Sequence, residues 1–188
     1  MTKELINEFK DVVNENYGIY LDCLMCFLIT LNDFEEKIER YAKKIGYTFV
    51  NQDKIPFSHY SPTRDKYLHT ETHGEFKSRM SKGGKNYNFV GNTFIISVYA
   101  FWEDHYRQKI ASSMGKKKNE LKEPIMGDIR LIRNSLVHHK AIALKEIEEC
   151  EVLQIFKEGD TICFSDEQIF EIVEHINNYM DKLLSSIE

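Results

Sequence analysis

One stretch of the 188-residue chain concentrates groups able to do chemistry: Asp128-Ile-Arg-Leu-Ile-Arg-Asn-Ser-Leu-Val-His-His139. It reads as a helix, which sets its side chains about 100° apart per residue. Asn134 and His138 are four residues apart and share a face, as do Arg130 and Asn134. Arg133 and His138 are about 140° apart, but the long arginine side chain reaches toward the same end. One helix edge thus offers a guanidinium, an amide and one or two imidazoles, with His139 beside His138. Histidine takes and gives protons near neutral pH. Arginine carries a permanent charge on a fork that matches a phosphate. Asn134 can fix a substrate oxygen or orient the imidazole. Together these groups suit deprotonation of a ribose 2′-OH, stabilisation of a phosphorane-like transition state and protonation of the leaving 5′-oxygen. That is RNA cleavage without metal or other cofactor, and its dependence on the 2′-OH makes it RNA-specific.

The elements that must position this edge are mostly helical. Residues 3–45 repeat apolar side chains at helical spacing, with Gly18 as a possible kink and Gly46 as the stop. Residues 88–112 form a second helical pattern running from Phe89 through Trp102 to Ile110. Residues 123–140 form the third, with Pro124 in its first turn and Ile125, Ile129, Ile132 and Leu136 as its buried stripe. A short helix is expected to continue through Ile147. The period then changes: Glu151–Lys157 and Thr161–Phe164, joined through Glu158-Gly-Asp160, read as a β-hairpin. Ser165 or Asp166 caps a final helix carrying Ile169, Ile172, Val173, Ile176 and Met180. Residues 46–87 lose all periodicity and read as an irregular insertion. The expected fold is a mainly α-helical bundle of four to five helices, a single domain over 1–188, with one small hairpin before the C-terminal helix.

Within that frame the run Arg133-Asn134-Ser-Leu-Val-His138-His139 resembles the signature of the HEPN superfamily: an arginine, a polar residue that is often asparagine, then a histidine after four to six intervening residues. Both His138 and His139 satisfy the spacing, and the flanking pattern gives His138 the family position. Ser97-Val-Tyr-Ala-Phe-Trp-Glu-Asp-His-Tyr-Arg107 resembles the preceding family helix, which often bears an acid such as Glu103. The resemblance covers about residues 88–187; the insertion has no counterpart. It implies a metal-independent endoribonuclease, a homodimer lining one cleft with two motifs, and products ending in a 2′,3′-cyclic phosphate. It further implies a toxin–antitoxin or phage-defence setting, with an antitoxin or defence-system partner. Arg133 would bind the phosphate, His138 would be the general acid or base, and Asn134 would orient. His139 is a spare candidate and Glu103 a supporting group. Some members are inactive, so a non-catalytic module binding RNA, nucleotide or a partner protein is the alternative. A third reading is a purely structural bundle in which Arg133 pairs with Asp128 or Glu103.

Composition narrows the field. The chain is 42% hydrophobic and 29% charged, which excludes disorder, a collagen-like repeat and a disulfide scaffold. The longest apolar run, about Cys23 to Leu31, is short of a bilayer span. The N-terminal acids do not fit a signal peptide. A soluble cytoplasmic protein with no membrane partner is expected. Net charge is −5, but residues 146–188 carry 12 acids and two bases, so the rest of the chain is net positive. A local basic face therefore stays open, with Arg130, Lys82, Lys85, Lys116 and Lys117 as RNA-backbone contacts; solubilising loops are the plainer reading of these lysines. Tyr87, Phe89 and Tyr99 could stack on bases, but packing is the preferred reading. His69-Thr-Glu-Thr-His73 could hold a metal only if helical, and is read as solvated loop, so no metal ligand is assigned. Cys23 and Cys26 are read as buried thiols rather than a redox pair.

Overall fold

The computed structural model describes residues 1–46 and 51–187. It is mainly α-helical with one small antiparallel hairpin, as expected. Helix α1 runs Thr2–Ile45, unbroken at Gly18, where an added Cβ would meet nothing within 4 Å. The glycine faces open space and costs only propensity, and the helix does not break there into two. Gly46 ends the helix in the left-handed conformation, φ 62°.

The chain divides into two compact units: residues 1–21 with 90–188, and residues 22–89. The smaller unit corrects the reading of 46–87 as irregular. Strands β1 (Pro56–Ser61) and β2 (Lys66–Thr72) pair antiparallel, with a register shift at His59/Tyr60. Helix α2 (His73–Met80) follows at once, started by a reciprocal cap between Thr72 and Glu75. Phe34, Phe57 and Phe76 form its apolar centre, with ring centroids 4.6–5.3 Å apart. The hairpin escapes a search for alternating apolar residues because both of its faces are largely exposed. Residues 47–50 of this stretch lie outside the described residues.

The larger unit is a helical bundle. Helix α3 (Lys85–Ala100) enters it, a π-helical turn spans Phe101–Tyr106, and α4 (Arg107–Ser113) continues the same run. Helix α5 is Pro124–His138 and α6 is Asp166–Ser185, the latter capped by Ser165 with Gln168. Phe9 of α1 packs against Trp102 and Tyr106, each at 5.3 Å between centroids. Ile6, Ile95, Ile129, Ile132, Ile172 and Ile176 are fully buried around them. Burying aliphatic side chains of this size contributes about 1.5–3 kcal/mol each.

The hairpin expected over 151–164 is absent. Asp128 is the reason: its buried carboxylate accepts the backbone N–H groups of Glu151, Val152 and Leu153 at 2.7–3.0 Å. Those donors are then lost to any strand ladder. Residues 159–162 pair with 141–143 instead, through Ala143 N–H to Asp160 O and Ile162 N–H to Ala141 O, both 2.8 Å. The segment anticipated to prolong the third helix is a separate 3-10 turn, Lys145–Glu149.

Two further expectations change. Cys23 is half-buried and Cys26 exposed, so only Cys150 is a buried thiol. Helix α1 is also long and apolar enough, by length and composition, to cross a membrane. Only 11% of its most apolar 18 residues are buried.

Candidate functional site

Helix α5 is held at both ends, and this sets the motif in place. Near its start Pro124 occupies the first turn and Ile125, Ile129 and Ile132 bury one face. Asp128, on that buried side, ties the helix to residues 151–153. At its end Ser135 is fully buried, and its Oγ accepts the N–H of Leu144 at 3.1 Å. Its carbonyl accepts the N–H groups of His139 and Ala141. Lys140 and Ala141 adopt left-handed backbone conformations, φ 54° and 61°, to make that turn. The chain thus reverses directly after the two histidines and leaves both exposed.

Arg133 Nη1 lies 3.2 Å from His138 Nε2. A guanidinium only donates, so the facing imidazole nitrogen is the acceptor and the ring proton sits on Nδ1. The same Nη1 lies 3.5 Å from Asn134 Oδ1, a long contact. Arg133 and Asn134 are half-buried. Among the described residues Arg133 has no carboxylate partner, which removes both ion pairs that a purely structural role would use. Asp128 is spent on backbone donors. Glu103 binds Arg107 Nη1 at 2.9 Å and Lys118 Nζ at 2.7 Å. Burial works to raise the Glu103 carboxyl, but hydrogen bonds from Lys118 and Arg107 outweigh it and hold it below the usual carboxylate range. Glu103 is therefore a structural anchor, and among the described residues His139 makes no hydrogen bond to Arg133.

The candidate cations fall into two groups. Arg130 is exposed on α5 and has no ion-pair partner among the described residues. Lys116 and Lys117 are exposed in the connection after α4, whereas the adjacent Lys118 is engaged by Glu103. Lys82 and Lys85 belong to the smaller unit and are exposed, Lys82 on the connection from α2 to α3 and Lys85 as the first residue of α3. His69 lies exposed on β2, while His73 is buried as the first residue of α2, its ring 4.9 Å from that of Phe34. Burial, with the nearby Lys77 charge, pushes the His73 imidazole down. Among the described residues no cluster of three or more metal-ligating side chains occurs.

Tyr99 and a cleft of about 650 Å³ are the features that sequence reasoning underweighted. The cleft lies between the Tyr99–Arg107 segment and the first two turns of α5. Gly127, Arg130 and Leu131 line it, and they share with Asn134 and His138 a sector of about 100°. Tyr99 is half-exposed in its wall. Burial and the Glu103 charge push its phenol up, against the pull of Arg130, Arg107 and Arg133.

No protein-family model, curated protein or solved structure matches this chain. Any function assigned to it rests on the chemistry of its own residues.

Proposed function

We propose that the chain is a metal-independent endoribonuclease of the HEPN type, acting in the cytoplasm in a prokaryotic toxin or phage-defence role. The observation that carries this reading is the 3.2 Å approach of Arg133 Nη1 to His138 Nε2 at an exposed helix end, with no carboxylate on the arginine. A structural arginine would be expected to hold an acid. Here the charge is left available to a phosphodiester.

The chemistry follows from that pair. A phosphodiester oxygen takes the place of the imidazole on the guanidinium, leaving the His138 Nε2 lone pair to receive a proton from the ribose 2′-OH. The 2′-oxygen attacks phosphorus, Arg133 compensates the growing charge on the non-bridging oxygens, and the P–O5′ bond breaks. The departing 5′-oxygen takes a proton, leaving a 2′,3′-cyclic phosphate and a 5′-hydroxyl. One imidazole cannot stand on both sides of the phosphorus at once. A second copy of the motif, supplied by a homodimer, provides the acid. RNA is the macromolecular partner, and an antitoxin or other defence-system protein would restrain the activity.

The test is incubation of the purified protein with total RNA and with tRNA, with and without EDTA, followed by end-group analysis. Cleavage that survives EDTA and leaves cyclic-phosphate ends supports the reading. Absence of cleavage, with RNA still bound, would replace it with the non-catalytic module.

A further inference from the structure

We infer that the cleft beside α5 is a nucleotide subsite, in which Arg130 takes a phosphate, the Tyr99 ring lies against the base, and Glu149 and Glu151 receive the donor edge of a guanine. The inference rests on the proposed RNA substrate and adds to it a place and a base preference.

Four observations converge on this. The cleft holds about 650 Å³, ample for one nucleotide. Two cations without an ion-pair partner among the described residues line it, Arg130 and Lys122, and Arg130 stands at the motif end, three residues or about 4.5 Å of rise before Arg133. Its free carboxylates stand elsewhere along the lining. Among the described residues Glu123, Glu149 and Glu151 have no ion-pair partner, and all three line the cleft. Asp128, also in the lining, cannot serve, because its oxygens hold three backbone donors. Finally, Gly127 forms part of the wall and leaves that stretch of the lining without a side chain.

The polarity selects the base. An ionised carboxylate only accepts. Guanine presents adjacent N1–H and N2–H donors that match its two oxygens. Uracil presents one N–H between two carbonyl oxygens, which the carboxylates repel. Phosphate near Glu149 and Glu151 would be disfavoured for the same reason, so the ligand enters with its phosphate toward Arg130.

Calorimetric titration of the full chain with 5′-GMP, 5′-UMP and guanosine tests this. We expect 5′-GMP to bind at least tenfold tighter than either of the others. Arg130→Gln should bring 5′-GMP down to the affinity of guanosine, and Glu151→Gln should narrow the gap between 5′-GMP and 5′-UMP. Gly127→Leu should abolish binding with an unchanged far-ultraviolet spectrum. If that variant does not fold, the Arg130 and Glu151 variants decide alone. Equal affinity for 5′-GMP and 5′-UMP, or wild-type binding by Arg130→Gln, overturns the subsite. The two readings fail separately: RNA cleavage without 5′-GMP binding removes the subsite alone, and 5′-GMP binding without cleavage removes the nuclease alone.

Discussion

Arg107 Nη1 donates to Glu103 Oε2 at 2.9 Å, so Glu103 is paired with Arg107 and not with Arg133. Lys118 holds the other oxygen at 2.7 Å. Among the described residues no carboxylate pairs with Arg133, and its positive charge stands free at the end of α5.

If that free charge acts on phosphate, Arg133→Ala and His138→Ala should each lower RNA cleavage by roughly a hundredfold or more. Both side chains lie at or near the surface, so the unfolding free energy from urea titration should change by no more than about 0.5 kcal/mol. His139→Ala should cut like the parent, since its side chain does not meet Arg133. Gel assays on one tRNA substrate compare all three, and full activity in both the Arg133 and His138 variants would end the proposal.

Glu103→Gln should behave differently, because its carboxylate is structural. The native pairing holds its pKa below the usual range. The stability it contributes is therefore fully present above about pH 4.5 and is lost as pH falls through the lowered native value. Losing a charge-assisted hydrogen bond costs about 1.5–3 kcal/mol. Urea denaturation should show Glu103→Gln less stable than the parent at pH 7, with the gap narrowing as pH falls below about 4.5. A gap that stays constant with pH would mean the charge is irrelevant.

Asp128→Ala should be among the most damaging single changes. Three backbone N–H groups would lose their acceptor, one of them buried. Each unsatisfied buried donor costs about 1–3 kcal/mol. We expect a total loss of about 3–5 kcal/mol, with faster hydrogen exchange concentrated at residues 151–153. Asp128→Asn keeps one acceptor oxygen and should fall between the two.

The thiols should divide sharply in alkylation with iodoacetamide. Burial, helped by Asp128 and Glu149, pushes the Cys150 thiol up to about 12. Cys26 and Cys163 are exposed. Mass spectrometry of the native protein at pH 8 should find Cys26 and Cys163 modified first, and Cys150 only after denaturant is added. Early labelling of Cys150 would show that the 145–153 segment opens readily.

Local spacing alone determined the three long helical patterns, the capped start of α6, and the presence of Arg133, Asn134 and His138 on one helix. These depend on periods of about 3.6 residues, and side chains three or four residues apart share a face whatever the rest of the chain does. The segment 151–164 shows where local reading ends. It alternates like a hairpin, but a carboxylate 23 residues upstream takes its backbone donors. The hairpin at 56–72 shows the converse, since cross-strand pairing formed it without an apolar alternation to announce it. Only the tertiary structure decided which histidine meets Arg133, where Glu103 spends its charge, and that Gly127 opens onto a cleft. Each of these is a competition among possible partners, settled by distance and burial, and neither quantity is written in the order of the residues.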